Sequence, residues 1–123
     1  MRLRPLDVIY ADDDMIRPPG PKYWVSVAPE AGLFFRINTR GARRGSVPLL
    51  LRDHPFMKWD CFVECGRVLE ADDYVVEEAI RRRGILGAVS THLVPSILRE
   101  VADSDDIASD SAALIRAALS GPR

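Results

Sequence analysis

At 123 residues the chain is close to the usual size of one globular unit, and a chain of this length can bury roughly two thirds of the surface its unfolded form exposes. Its 17 basic and 18 acidic residues nearly cancel, which excludes a strongly basic field over the whole molecule and requires any nucleic-acid-binding charge to be local. No apolar run approaches the roughly 20 residues that would span a bilayer, and Met1-Arg2-Leu3-Arg4 leads into a strand-like segment and not a signal-peptide core, so a soluble cytoplasmic protein without a membrane part is expected.

Residues 6–12 alternate well enough for a first strand, and 13–21, with three prolines and a glycine, are expected to be a loop. Residues 23–28 and 33–38 form a hairpin whose turn is Pro29-Glu30-Ala31-Gly32. Residues 40–45 make a second, basic loop carrying Arg40, Arg43 and Arg44. An apolar run, 47–52, leads to the turn Asp53-His54-Pro55, where proline fixes its own φ and pushes His54 out of the α region. Phe56, Met57 and Trp59 follow around a short polar break. Residues 60–66 then alternate, with Cys61, Val63 and Cys65 on one face and Phe62 and Glu64 on the other. Residues 67–72 extend the sheet or form an edge.

Beyond Asp72 the periodicity turns helical. Tyr74, Val75, Ala79 and Ile80, with acids early and Arg81-Arg82-Arg83 late, predict a short helix ended by Gly84, and 85–89 predict a further strand. Leu93, Val94, Ile97, Leu98 and Val101 predict a helix with Pro95 in its first turn. A last helix spans 109–120, burying Ala113, Leu114, Ala117 and Ala118 or their neighbours, with Ser109 as cap and Gly121-Pro122 as stop. Five or six short strands favour a barrel, because closure removes exposed edges. The expected class is mainly β with C-terminal helices (α+β): one domain, 1–123, with a barrel over about 5–89 and a helical tail over about 90–120.

Cys61 and Cys65, four apart on one strand, have Cα atoms about 13 Å apart at roughly 3.3 Å per residue, beyond the ~7 Å limit for a disulfide, so both are expected as buried, reduced thiols. With His54 and His92 they make a poor tetrahedral zinc set, and no metal or cofactor is expected. Trp24 and Trp59 can stack bases or fill the core. Arg81, Arg82 and Arg83 point in different directions on a helix and read as helix-end charge, and Asp72-Asp73 as a solvated turn or cap.

The stretch 53–66, DHPFMKWDCFVECG, follows the Gly-Ser-led run 45–51, and this order of elements resembles the PemK/MazF-like family of toxin proteins, whose shorter members place a strand, a D-H/Y-P-F-L-x-H/W-D-S-Y-x-x-C segment and a helical tail in succession. The resemblance implies a small closed SH3-like β-barrel, a homodimer, and, in active members of these type II toxin–antitoxin systems, metal-independent cleavage of single-stranded RNA, silenced by an antitoxin peptide laid along the RNA groove. It further implies a basic residue beside the loop between the first two strands and a Ser or Thr near the end of a later strand. Many members carry that basic residue as the arginine of an Arg-Pro pair before the second strand. Lys22 occupies the place here, and the only Arg-Pro pair, Arg17-Pro18, comes earlier, with Arg17 able to reach in from the loop. Thr39 matches the hydroxyl position. Lys22, Thr39 and Arg17 are thus the implied catalytic residues, and Arg40, Arg43, Arg44 and His54 the RNA contacts. The alternative is a noncatalytic barrel of the same fold serving as an interaction or regulatory module, which the missing Arg-Pro pair before Tyr23 favours.

Overall fold

Consecutive apolar pairs in the first three strands, Val8-Ile9, Trp24-Val25 and Phe34-Phe35, set the architecture, because neighbouring residues of a strand point to opposite faces and both faces must then be covered. The computed structural model describes residues 2–41 and 44–121. In it, β1 (Asp7–Asp13), β2 (Gly20–Ala28), β3 (Leu33–Asn38), β4 (Ser46–Leu49), β5 (Cys61–Glu64), β6 (Leu69–Glu70) and β7 (Gly87–Ala88) form one antiparallel sheet in the order β4-β5-β3-β2-β1-β7. β6 lies on the edge of β3 that β5 also uses. Val8, Val25, Val27, Phe35 and Ile37 face α2 (Val94–Asp103) and α3 (Ser109–Ser120), which contribute Ile97, Val101, Ile115 and Leu119. On the opposite face, Ile9, Ala11, Trp24, Phe34 and Leu69 pack with Ala79 of α1 (Asp73–Arg83). No helix among the described residues is long and apolar enough to cross a membrane.

The sheet curls into a half-barrel in which β3 is paired on its two edges over different stretches. Trp24 to Ala28 of β2 pair with Arg36 to Leu33, with a bulge between Ser26 and Ala28, while Ile37 and Asn38 pair with Val63 and Phe62 of β5. No ladder joins the end strands β4 and β7 among the described residues. A side chain bridges their neighbourhoods instead. His54 follows the single 3-10 turn after β4; its Nδ1 donates to the Leu50 carbonyl (2.9 Å), and its Nε2 accepts the Ser90 N–H (3.0 Å), two residues beyond β7. Since a carbonyl only accepts, Nδ1 carries the proton. Phe56 lies so close over β7 that a Cβ on Gly87 would sit 2.3 Å from its ring.

The expected loop 13–21 is shorter than composition implied. Gly20 and Pro21 pair with Asp13 and Asp12. β3 pairs with β2 only as far as Trp24, so the first residues of β2 are bonded to β1 alone, and a proline there removes no donor from a second ladder. The expected strand 47–52 stops at Leu49 and becomes a 3-10 turn (Leu51–Asp53), and 85–89 contracts to Gly87–Ala88, extended by backbone bonds from Leu86 N–H to Val8 and Val89 N–H to Leu6. In α3 the buried side chains are Ile115 and Leu119, with Leu114 49 % exposed and Ala113 and Ala117 in solvent: the bulky pair offers more apolar surface to the sheet than the alanine stripe. Ser109 is the first residue of that helix; its cap position is Ala108, without a side-chain bond.

Gly32 has a structural duty. Its φ is +70°, and a Cβ there would stand 2.8 Å from the Ala71 carbonyl oxygen, while its own carbonyl accepts the Ala71 N–H at 2.9 Å. The β2–β3 turn and β6 therefore approach backbone to backbone. Gly32→Ala should cost about 1–3 kcal/mol, through left-handed strain and displacement of β6. Urea denaturation checks this; an unchanged midpoint would mean that β6 moves aside freely.

Candidate nucleic-acid interface

The β2–β3 ladder ends at Trp24 and Arg36, and a wedge opens beyond it between the first residues of β2 and the last of β3. Lys22 and Tyr23 enter it from β2, Tyr10 from β1 opposite Tyr23, and Thr39 from the bend directly after β3. Ile37, Met57 and Cys61 also line it, with Lys58 and Trp59 on the loop before β5, and the enclosed volume is 140 Å³. That loop is tied at both ends. The Met57 N–H donates to the His54 carbonyl (3.0 Å), Asp60 Oδ1 accepts the Leu51 N–H (2.8 Å), and the Cys61 thiol donates to the Trp59 carbonyl (3.2 Å). Met57 is buried, whereas Trp59 is 53 % exposed.

The charge of this wedge differs from that of the molecule. It is lined by two lysines, the Thr39 hydroxyl, two tyrosines and a tryptophan, with no carboxylate. Three other hollows all carry acids: a 470 Å³ cleft between the end of β1 and α1 holds Asp12, Asp14, Glu70, Asp72 and Glu78; a 960 Å³ hollow beside the end of α2 holds Glu64, Glu100, Asp103, Asp105 and Asp106; and a 650 Å³ groove along α3 holds Glu30. Burial pushes the Cys61 thiol up, Asp60 adds to this, and the Lys22 ammonium partly opposes it. Cys65 is pushed up much further by burial, with Glu100 and Glu64 adding. Both cysteines are free, buried thiols without nucleophilic character at neutral pH.

Of the residues expected at a site, Lys22 and Thr39 line the same wedge. Arg17 does not join them: its Nη1 donates to the carbonyls of Asp14 and Ile16, each at 2.9 Å, folding the guanidinium back on its own loop. Arg40 is exposed beside Thr39 without lining the wedge, Arg44 lines the acidic hollow at α2, and Arg43 lies outside the described residues. His54, expected as an RNA contact, is 1 % exposed with both ring nitrogens engaged, so it belongs to the frame and has no edge to offer a strand. His92 is exposed and bonded through Nδ1 to Ser90 Oγ. The arginines at the end of α1 diverge, Arg81 to Glu78, Arg82 to Asp12 and Arg83 over the Tyr10 ring at 4.8 Å.

Three participants escaped the sequence reading. Lys58 and Tyr10 complete the wedge, Tyr10 through the register that sets it against Tyr23, with centroids 4.6 Å apart, and Lys58 through its place on the loop before β5. The third is Asp13, assigned to a loop but placed at the buried end of β1. Its carboxylate accepts from Arg36 Nε (2.6 Å), Trp24 Nε1 (3.1 Å) and the Met15 N–H (3.0 Å). Trp24 is therefore a core residue with a satisfied indole N–H. No protein-family model matches the sequence, and no curated protein matches it.

Proposed function

We propose that this chain is a PemK/MazF-like endoribonuclease that cleaves single-stranded RNA in the Lys22–Thr39 wedge. The observation that carries the reading is that these two residues, 17 positions apart, line one hollow with a second lysine and no carboxylate. Positive charge free of competing acids suits a phosphodiester, and a hydroxyl beside it suits proton relay. In this reading the RNA 2′-oxygen attacks the adjacent phosphorus and loses its proton, with Thr39 positioning or relaying it. The bond to the 5′-oxygen breaks and that oxygen is protonated. Lys22 holds the charge that gathers on the phosphoryl oxygens, and the products are a 2′,3′-cyclic phosphate and a 5′-hydroxyl. The same reading makes the curled sheet an SH3-like barrel, the working form a cytoplasmic homodimer, and the natural silencer an antitoxin peptide along the wedge.

Incubating the protein with mixed-sequence RNA without added metal should yield cyclic-phosphate ends. Lys22→Ala should slow cleavage about 10²- to 10³-fold and Thr39→Ala about 10²-fold, with binding reduced much less. The second reading, a noncatalytic barrel, is favoured by the retracted guanidinium of Arg17, which leaves no arginine fork in the wedge. RNA that is bound yet stays intact at high protein concentration would establish it.

A further inference from the structure

Trp59 is the side chain of the wedge that folding does not account for. A half-exposed indole sacrifices burial that Trp24, 3 % exposed with its N–H on Asp13, obtains in full. Its ring takes part in no aromatic pair and no cation–π contact among the described residues. Its backbone nevertheless is held in place, by the Cys61 thiol on its carbonyl and by buried Met57 two residues earlier. A ring carried on a loop whose backbone is already held has less chain freedom to lose on binding. Beside it stand Lys58 and Lys22, with no acid among the lining groups.

We infer that Trp59 is a stacking platform for one unpaired nucleobase of a single strand, with Lys58 and Lys22 holding the flanking phosphates. This rests on the reading of the wedge as a single-strand site, and it adds the group that seats the base. An aromatic face accepts any base, so the platform is sequence-tolerant, and lysine ammoniums act on phosphate as point charges without base readout. A duplex hides its base faces in its own stack and is a poor ligand for such a surface. The platform also confines the strand: a base fixed on Trp59 sets which phosphodiester lies by Lys22 and Thr39.

The test uses the intact protein with a 12-nucleotide mixed-sequence single-stranded DNA and its 2′-O-methyl RNA counterpart, neither of which can be cleaved through a 2′-hydroxyl. Binding is followed by anisotropy of the labelled strand and by tryptophan emission. Because Trp24 is sealed in the core, a saturable emission change reports Trp59. Both strands should bind, the duplex of the same sequence far more weakly. Trp59→Ala should weaken binding about 5- to 150-fold, while Trp59→Phe stays close to wild type and both variants melt as the parent does. The slope of log affinity against log salt should be unchanged in Trp59→Ala, which removes no charge, and reduced by about one in Lys22→Ala. Equal affinity of Trp59→Ala and wild type would overturn the platform while leaving the single-strand site standing. No binding of either strand would overturn both. Binding with the Trp59 signature in a protein that never cleaves RNA would support the platform and dismiss only the nuclease.

Discussion

Arg36→Ala should destabilise the fold by about 3–5 kcal/mol, because it strands a buried carboxylate. The Asp13 side chain is 1 % exposed, and Arg36 supplies two of its bonds, from Nε at 2.6 Å and Nη2 at 3.3 Å. The Trp24 indole and the Met15 N–H remain, but they are neutral donors and leave the charge uncompensated. The pH dependence distinguishes this from a simple loss of packing. Burial by itself would raise the Asp13 pKa, yet the bonds from Arg36, Met15 and Trp24 together outweigh it and hold the carboxyl below its ordinary 3.8. A depressed carboxylate contributes stability that is present above the unfolded value and lost as pH falls through the folded one. The wild-type protein should therefore shed this contribution only in strong acid, below 3.8. In Arg36→Ala the same carboxyl, buried without its cation, gains by protonation, so the gap between the two proteins should narrow on acidification. Urea denaturation across that range measures it. A deficit under about 1 kcal/mol at neutral pH would show that Asp13 is satisfied without the arginine.

The second large effect is expected at the join between the ends of β4 and β7. His54→Ala removes a fully buried ring, leaves the Ser90 N–H without its partner and leaves the Leu50 carbonyl with the Asp53 N–H alone (3.1 Å), at a cost of about 2–4 kcal/mol. Gly87→Ala places a methyl 2.3 Å from the Phe56 ring and should cost about 1–3 kcal/mol. If the clash is the cause, Phe56→Leu should relieve it, so the Gly87→Ala/Phe56→Leu double variant should lose less than the sum of the two single losses. Additive losses would mean that Gly87 matters for its backbone alone. A His54→Ala protein within about 0.5 kcal/mol of wild type would remove His54 from the closure of the sheet.

Several elements were legible because their signals are local. Strand 33–38 and the turn before it follow from a short apolar, aromatic-rich run and a Pro-to-Gly punctuation, helix 109–120 from its apolar spacing, and the end of α1 from a glycine free to take φ +74°. Arg81, Arg82 and Arg83 diverge, as three neighbours on a helix must. The extra covering of the sheet was also written in the chain, in pairs such as Val8-Ile9 and Phe34-Phe35, although the alternation that marks a one-sided strand draws the eye first.

Tertiary structure decided the roles of the polar residues. Whether Asp13 is a loop acid or a buried ion depends on Arg36, 23 residues away, and whether His54 is a turn residue or a bridge depends on Ser90, 36 residues away. Lys22 and Thr39 share a wedge because the β2–β3 ladder stops at Trp24 and Arg36 while the last residues of β3 stay paired with β5 on the other edge, a choice of pairing that a period of two cannot encode. Periodicity fixes which face a side chain takes within its own element. Which neighbour it meets there is set by how the elements pair, and the wedge, the bridge and the buried carboxylate are all made by such pairings.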